Sequence, residues 1–191
     1  MATGRTQDEH RGELASKVAG KDVLLIAPGR SAGDEKEKIA TFVDTEDAVV
    51  VSVNFDYPKT KVNHIFLSNL RGFRELSIDK RSKCIVTSNI PADNVYLQTK
   101  YHDLLMPIES VRDNAGLMAI KFFAELGAKK IILAGFDGYS HEADENYASK
   151  QMVLVTKNAV VDAMNKGMSD MIEVFSKKTN ICFLTNSRFK R

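Results

Sequence analysis

Apolar residues along this chain fall into short unbroken runs, and the runs end alike. They are Val23-Leu24-Leu25-Ile26-Ala27, Val49-Val50-Val51-Ser52-Val53, His64-Ile65-Phe66-Leu67, Cys84-Ile85-Val86 and Ile131-Ile132-Leu133-Ala134. Each stops at small, amide or acidic residues: Pro28-Gly29-Arg30-Ser31, Asn54, Ser68-Asn69, Thr87-Ser88-Asn89 and Gly135-Phe136-Asp137-Gly138. Runs of β-branched residues and leucine without polar alternation predict strands covered on both faces, as in a parallel sheet. A further strand is expected at Ile181-Cys182-Phe183-Leu184, before Thr185-Asn186-Ser187.

Between the runs the period changes from continuous to helical. Ile39, Phe42 and Val43 share one side of a helix expected over Asp34 to Val43. From Val111, the residues Leu117, Ile120, Phe123, Ala124 and Leu126 form a stripe closed by Gly127. A long helix is expected from Ala148, with Met152, Val155, Ala159, Val160, Ala163, Met164, Met168, Met171, Ile172 and Phe175 at three- and four-residue steps and an interruption at Gly167. The stretch from Pro91 to Pro107 has no clear period, and residues 138–147 read as a mobile loop over a site. Residues 1–20 are polar, with Leu14 and Val18 on one helical face, and read as a lead-in helix or an interdomain linker. The expected architecture is therefore a three-layer, Rossmann-like α/β fold with a mostly parallel central sheet, formed by residues 21–191 as one domain.

Composition narrows the function classes. At 191 residues with 43% hydrophobic content, the chain suits a single core. A net charge of +2, with bases scattered among acids, gives no basic face for nucleic acid. The longest apolar runs fall far short of the roughly 18 residues of a membrane span. The two cysteines, Cys84 and Cys182, lie in separate apolar runs without metal spacing, which suits buried thiols and a reducing, cytoplasmic setting. The Met-rich stripe of the last helix offers a surface for a second copy of the chain, although packing on its own sheet is the commoner use of such a stripe.

Carboxyl ends of parallel strands form the ligand crevice of such folds, so the residues closing the runs are the candidate site. Asn54, Asn69 and Asn89 each offer a donor and an acceptor without charge, which suits a nucleotide; the same residues also form turns and caps. Gly29-Arg30-Ser31 makes a small-residue turn whose N–H groups could hold a phosphate, with Arg30 as a further anion donor. It matches neither GxGxxG nor GxxxxGK[ST], and a turn selected for tight geometry alone would look the same. Asp137 could accept a ribose hydroxyl, ligate a metal or cap the next element. His141, with Tyr139 and Tyr147 nearby in the loop, is the candidate acid or base, against the commoner fate of a solvated loop histidine. No zinc spacing is present.

The series Ile26-Ala-Pro-Gly-Arg-Ser31, Val51-Ser-Val-Asn-Phe55, Phe66-Leu-Ser-Asn69, Asp113-Asn-Ala-Gly-Leu-Met-Ala119 and Leu126-Gly-Ala-Lys-Lys-Ile-Ile-Leu-Ala-Gly-Phe-Asp137 resembles the bacterial lipo-oligosaccharide sialyltransferases. It is also similar to 6-hydroxymethylpterin diphosphokinase-like proteins and to the C-terminal domain of some aldolase-like proteins of the HMG-CoA lyase type. The resemblance implies a nucleotide or nucleotide-sugar ligand, with phosphate at Gly29-Arg30-Ser31, the nucleotide at Asn54 and Asn69, and its sugar or phosphate at Asn114-Ala115-Gly116. Asp137 would then meet the ribose or a metal. Three functions are expected from it. The first is glycosyl transfer from a CMP-sugar in surface-polysaccharide synthesis. The second is magnesium-dependent diphosphoryl transfer near Asp137. The third is ligand binding without chemistry, by a module once tethered to an upstream aldolase-like domain.

Overall fold

The computed structural model of the protein describes residues 6–148 and 154–190. Its centre is a seven-stranded, wholly parallel sheet in the order β5-β4-β3-β2-β1-β6-β7. The strands are β1 (Asp22–Ile26), β2 (Ala48–Val53), β3 (His64–Leu67), β4 (Cys84–Thr87), β5 (Leu97–Thr99), β6 (Lys130–Ala134) and β7 (Asn180–Phe183). β1 lies centrally, so Leu24 is flanked by Val50 on one side and Ile132 on the other. With neighbours on both edges and helices on both faces, every side chain of Val23–Ile26 is fully buried. That is why the run shows no polar alternation.

Among the described residues, seven α-helices complete the layers: α1 (Gln7–Val18), α2 (Ser31–Asp34), α3 (Lys36–Thr45), α4 (Leu70–Glu75), α5 (Tyr101–Leu104), α6 (Ala115–Glu125) and α7 (Asn158–Ser176). Successive strand residues point to opposite faces. Val23 and Leu25 join a core with Leu14 and Val18 of α1, Phe122 and Phe123 of α6 and Met168 and Met171 of α7. Leu24 and Ile26 join the opposite core with Ile39 of α3 and Phe73 of α4. α6 is buried along most of its length and ends where Gly127 adopts φ +83°, the left-handed stop its sequence predicts.

Several boundaries differ from the sequence expectation. Residues 7–18 form a helix that is part of the domain: Thr6 and Glu9 make a capping box, Leu14 and Val18 are buried, and the Gln7 side chain accepts the Gln98 N–H of edge strand β5 (2.6 Å). The linker reading of this segment fails because its apolar face is in the core. The helix expected over Asp34 to Val43 is two helices, α2 and α3, which meet at Glu35 (φ −109°, ψ 31°). The helix expected from Ala148 begins at Asn158; Val155 is 85% exposed outside it, and Met152 lies outside the described residues. Gly167 does not interrupt α7. A Cβ there would meet Ser110 Oγ at 2.8 Å and Val111 Cγ2 at 3.0 Å, so this glycine lets the turn Glu109–Val111 pack on the helix.

The chain runs outward from β1 to β5, then α6 carries it back over the sheet to β6 on the other side of β1. At this reversal, the connections leaving β1 and β6 go to opposite faces. A crevice opens there, at the carboxyl ends of the two strands.

Candidate functional site

The turn after β1 and the turn after β6 are pressed together. Gly29 N–H donates to the Gly135 carbonyl (3.1 Å), and a Cβ on Gly29 would lie 2.2 Å from that oxygen. Gly135 itself has φ +72°, with its α-carbon against Ala27, where a Cβ would come within 2.1 Å of the carbonyl oxygen. Only glycine fits at either position. The contact delivers Asp137 to the start of α2: its Oδ2 accepts the Ser31 N–H (2.7 Å), and its Oδ1 accepts the Ser31 hydroxyl. Ser31 Oγ is also hydrogen-bonded to Thr185 Oγ1 (2.7 Å), which in turn accepts the Gly135 N–H (2.9 Å). Burial pushes the Asp137 carboxyl above its usual range, against the two Ser31 bonds and with the charges of Glu35 and Asp34 adding to the rise.

This arrangement revises the reading of Gly29-Arg30-Ser31 as a phosphate cradle. Gly29 N–H is spent on Gly135 and Ser31 N–H on Asp137, so a carboxylate of the chain itself stands where the phosphate was expected. Arg30 is not in the cavity lining; it reaches Asp34 (3.4 Å) and Glu145 (4.0 Å) with its side chain half exposed. Asp137 also lacks the surroundings of a protein-held metal. Both its oxygens accept from Ser31, no second carboxylate lines the cavity, and no group of three or more candidate ligands exists among the described residues. The residues present do not fit a bound magnesium ion.

A cavity of about 190 Å³ lies beside Asp137, at the reversal point of the sheet. Asn54, Asn69, Asn114, Gly116, Tyr139 and Tyr147 line it together with Gly29 and Asp137. Each asparagine holds its element in place. Asn54, at φ +62° just beyond β2, accepts the Ser68 N–H on its Oδ1 (3.0 Å) and so ties the ends of β2 and β3. Asn69 caps α4 by accepting the Gly72 N–H (2.7 Å), and Asn114 caps α6 by accepting the Leu117 N–H (3.1 Å). Gly116, in the first turn of α6, leaves room for the Phe136 ring, which a Cβ would approach to 2.7 Å. Asn89, by contrast, is outside the lining: its amide donates to the Ser68 carbonyl (3.0 Å) and serves the turn after β4.

Residues 138–147 close the cavity's outer side through specific bonds. Asn165 of α7 accepts the Tyr139 N–H and donates to the Tyr139 carbonyl, both at 2.8 Å. Asn146, 4% exposed, accepts the Ser140 N–H and donates to the carbonyls of Ser140 and Glu142. The Tyr139 hydroxyl accepts from Asn114 (2.9 Å), and desolvation pushes its pKa up to about 12, with Tyr147 and Asp113 adding and the Asn114 bond opposing. Burial raises Tyr147 as well. His141 turns away: its Nε2 meets Asp162 of α7 (2.8 Å), half exposed, and it is not part of the lining. The histidine expected as acid or base thus fastens the loop to α7. Asn146, Asn165 and Thr185 are the organising residues that the sequence pattern did not single out; a strand-end threonine was the one available signal.

No family model matches the chain, and no curated protein matches it. No helix among the described residues is long and apolar enough to cross a membrane.

Proposed function

We propose that the cavity binds a nucleotide or nucleotide-sugar by its hydroxyl-bearing ring. The observation that supports this best is the lining itself: carboxamides, the Asp137 carboxylate and two phenols, with no lysine, arginine or histidine among the described residues. Ring hydroxyls donate and accept at once, and carboxamides and phenols answer both needs without charge. Phe136 and the tyrosine rings supply apolar faces for the ring carbons, a mix common to small-molecule sites. An acidic residue at a strand end beside the sheet's reversal point is the usual partner of a ribose diol in open α/β sheets.

Transfer chemistry is the second reading, and one observation favours it. Asp137, the carboxylate of the described lining and raised above its usual range by burial, would take the proton of an acceptor hydroxyl. In glycosyl transfer from a CMP-sugar, the bond from the sugar's anomeric carbon to the phosphate oxygen breaks as the acceptor oxygen bonds to that carbon. The acceptor proton would pass to Asp137. Tyr139, near 12, stays protonated and can only donate or accept a hydrogen bond. Such a transferase would suit surface-polysaccharide synthesis, as the resemblance implies; a tethered aldolase partner is compatible with the binding function alone.

Thermal unfolding with cytidine, uridine, adenosine and guanosine compounds and their sugar conjugates tests the binding. At a hundredfold excess over Kd, a ligand of the native state contributes about 2.7 kcal/mol and raises the midpoint. We expect a shift with one base and its loss by tenfold or more in affinity for Asp137→Asn, on the order of 1.4 kcal/mol. No shift with any compound would overturn the reading.

A further inference from the structure

A second cavity, of about 450 Å³, opens beside the first and shares two walls with it, Pro28 and Asn54. We infer that it is the phosphate subsite of the same ligand, with Lys59 as the group that meets the phosphoryl charge; the inference rests on the ring-binding reading above.

Three observations carry it. The first is size. About 190 Å³ is below the roughly 300–1,000 Å³ typical of sites for ligands as large as a nucleotide, so a ring held beside Asp137 must continue elsewhere, and the adjoining cavity is the open continuation.

The second is charge. Among the described residues the inner cavity is lined by a carboxylate and no cation, which makes it a poor place for a phosphate. Four charged residues line the outer one: Asp56, Lys59, Arg71 and Glu75. Asp56 pairs with Lys80, and Arg71 Nε pairs with Glu75 Oε1 at 2.8 Å. Lys59 has no ion pair among the described residues, so the outer cavity carries an uncompensated positive charge. Arg71 gives only its Nε to Glu75, and a guanidinium has four further N–H donors.

The third is construction. Asn54 is one of two non-glycine residues with positive φ among the described residues, and it stands in the wall between the cavities. Asn54 lines both cavities, and Phe55 and Tyr57, which follow it in the chain, line the outer one. Tyr57 is then locked by donating to the Ala32 carbonyl (3.0 Å), with the half-buried Phe55 ring edge-on against it at 5.8 Å. A residue in the left-handed region, held by its bond to Ser68, thus stands where the two cavities meet, with a fixed aromatic wall beyond it.

Calorimetric titration of each nucleoside against its 5′-monophosphate separates the two claims, since the nucleoside reports the ring site and the ratio of the two affinities reports the phosphate subsite. For the preferred base, the monophosphate is expected to bind about tenfold or more tightly than the nucleoside. In Lys59→Ala that ratio falls to about one, Lys59→Arg keeps most of it, and added salt erodes it in the unsubstituted protein. Equal affinities for nucleoside and monophosphate, or a ratio unchanged in Lys59→Ala, would overturn the subsite while leaving the ring site standing. Binding of neither would overturn both. Because Lys59 is exposed, loss of folding does not confound the substitution.

Discussion

Ser31 and Asp137 lie 106 positions apart, yet they make a two-point contact that decides what the inner cavity can accept. By filling the start of α2 with its own carboxylate, the chain excludes an anion from the turn after β1 and turns that part of the crevice toward hydroxyl groups. The folded carboxyl titrates above the 3.8 of an unfolded aspartate, so the native state binds the proton more tightly. That contribution is fully present below about 3.8 and is lost as pH rises through the folded value. Asp137→Asn removes the titration while keeping an oxygen for Ser31. Urea midpoints are therefore expected to show the unsubstituted protein gaining on Asp137→Asn as pH falls from neutrality toward 3.8, and a constant difference would refute the assignment. None of this was legible in the sequence: Arg30 and Ser31 look like an anion turn when read locally, and only the pairing of β1 with β6 reveals that an anion is already supplied.

Among the elements, the loop of residues 138–147 depends on α7. Its attachment has a strong and a weak component: the paired Asn165 bonds to the Tyr139 backbone, and the half-exposed His141–Asp162 pair. Asn165→Ala leaves a half-buried N–H and carbonyl without partners, and about 1–3 kcal/mol of stability should go with them. Asp162→Ala should cost under about 1 kcal/mol, as exposed pairs do. Hydrogen exchange reads the difference directly. Amides of residues 138–147 should lose protection in Asn165→Ala and keep it in Asp162→Ala, and equal effects would contradict the ranking.

Strands were the most legible elements, because Leu24, Val50 and Ile132 are buried on both faces and the code for that is simply an apolar run. β5 escaped notice since it has three residues, one of them the exposed Gln98 at the sheet edge. The early start expected for α7 came from reading Val155 as part of its stripe; spacing alone does not separate a helical residue from one in the chain leading to it. In the same way, the strand ends lie at the cavity as expected, while which loop side chains turn inward was not legible, since loop geometry and not residue type puts Tyr147 in the lining and His141 outside it.

The molecule as a whole should be sensitive to acid through His64. This residue is buried at the start of β3, its ring centroid 4.6 Å from that of Tyr96, and desolvation lowers its pKa from 6.5 to about 4, with a Lys83 backbone bond opposing, Lys17 and Lys83 charges lowering it further and Glu13 raising it. Between those values the unfolded chain takes up the proton first. Stability therefore falls as pH drops from 6.5 toward 4, by about 3 kcal/mol in all. His64→Gln should flatten that decline in urea titrations run at both ends of the window, and an unchanged slope would sink the attribution.

The placement of β6 next to β1 also bears on how the protein acquires its site. The five strands β1 to β5 can add one beside another as the chain lengthens, but the crevice needs Asp22 to meet Lys130, so its two walls join only after most of the polypeptide exists. Contacts of such long sequence separation are slow to close. A chain lacking β6 would lack the Gly135–Asp137 turn and with it one wall of the crevice, so the cavity exists only once the fold is complete.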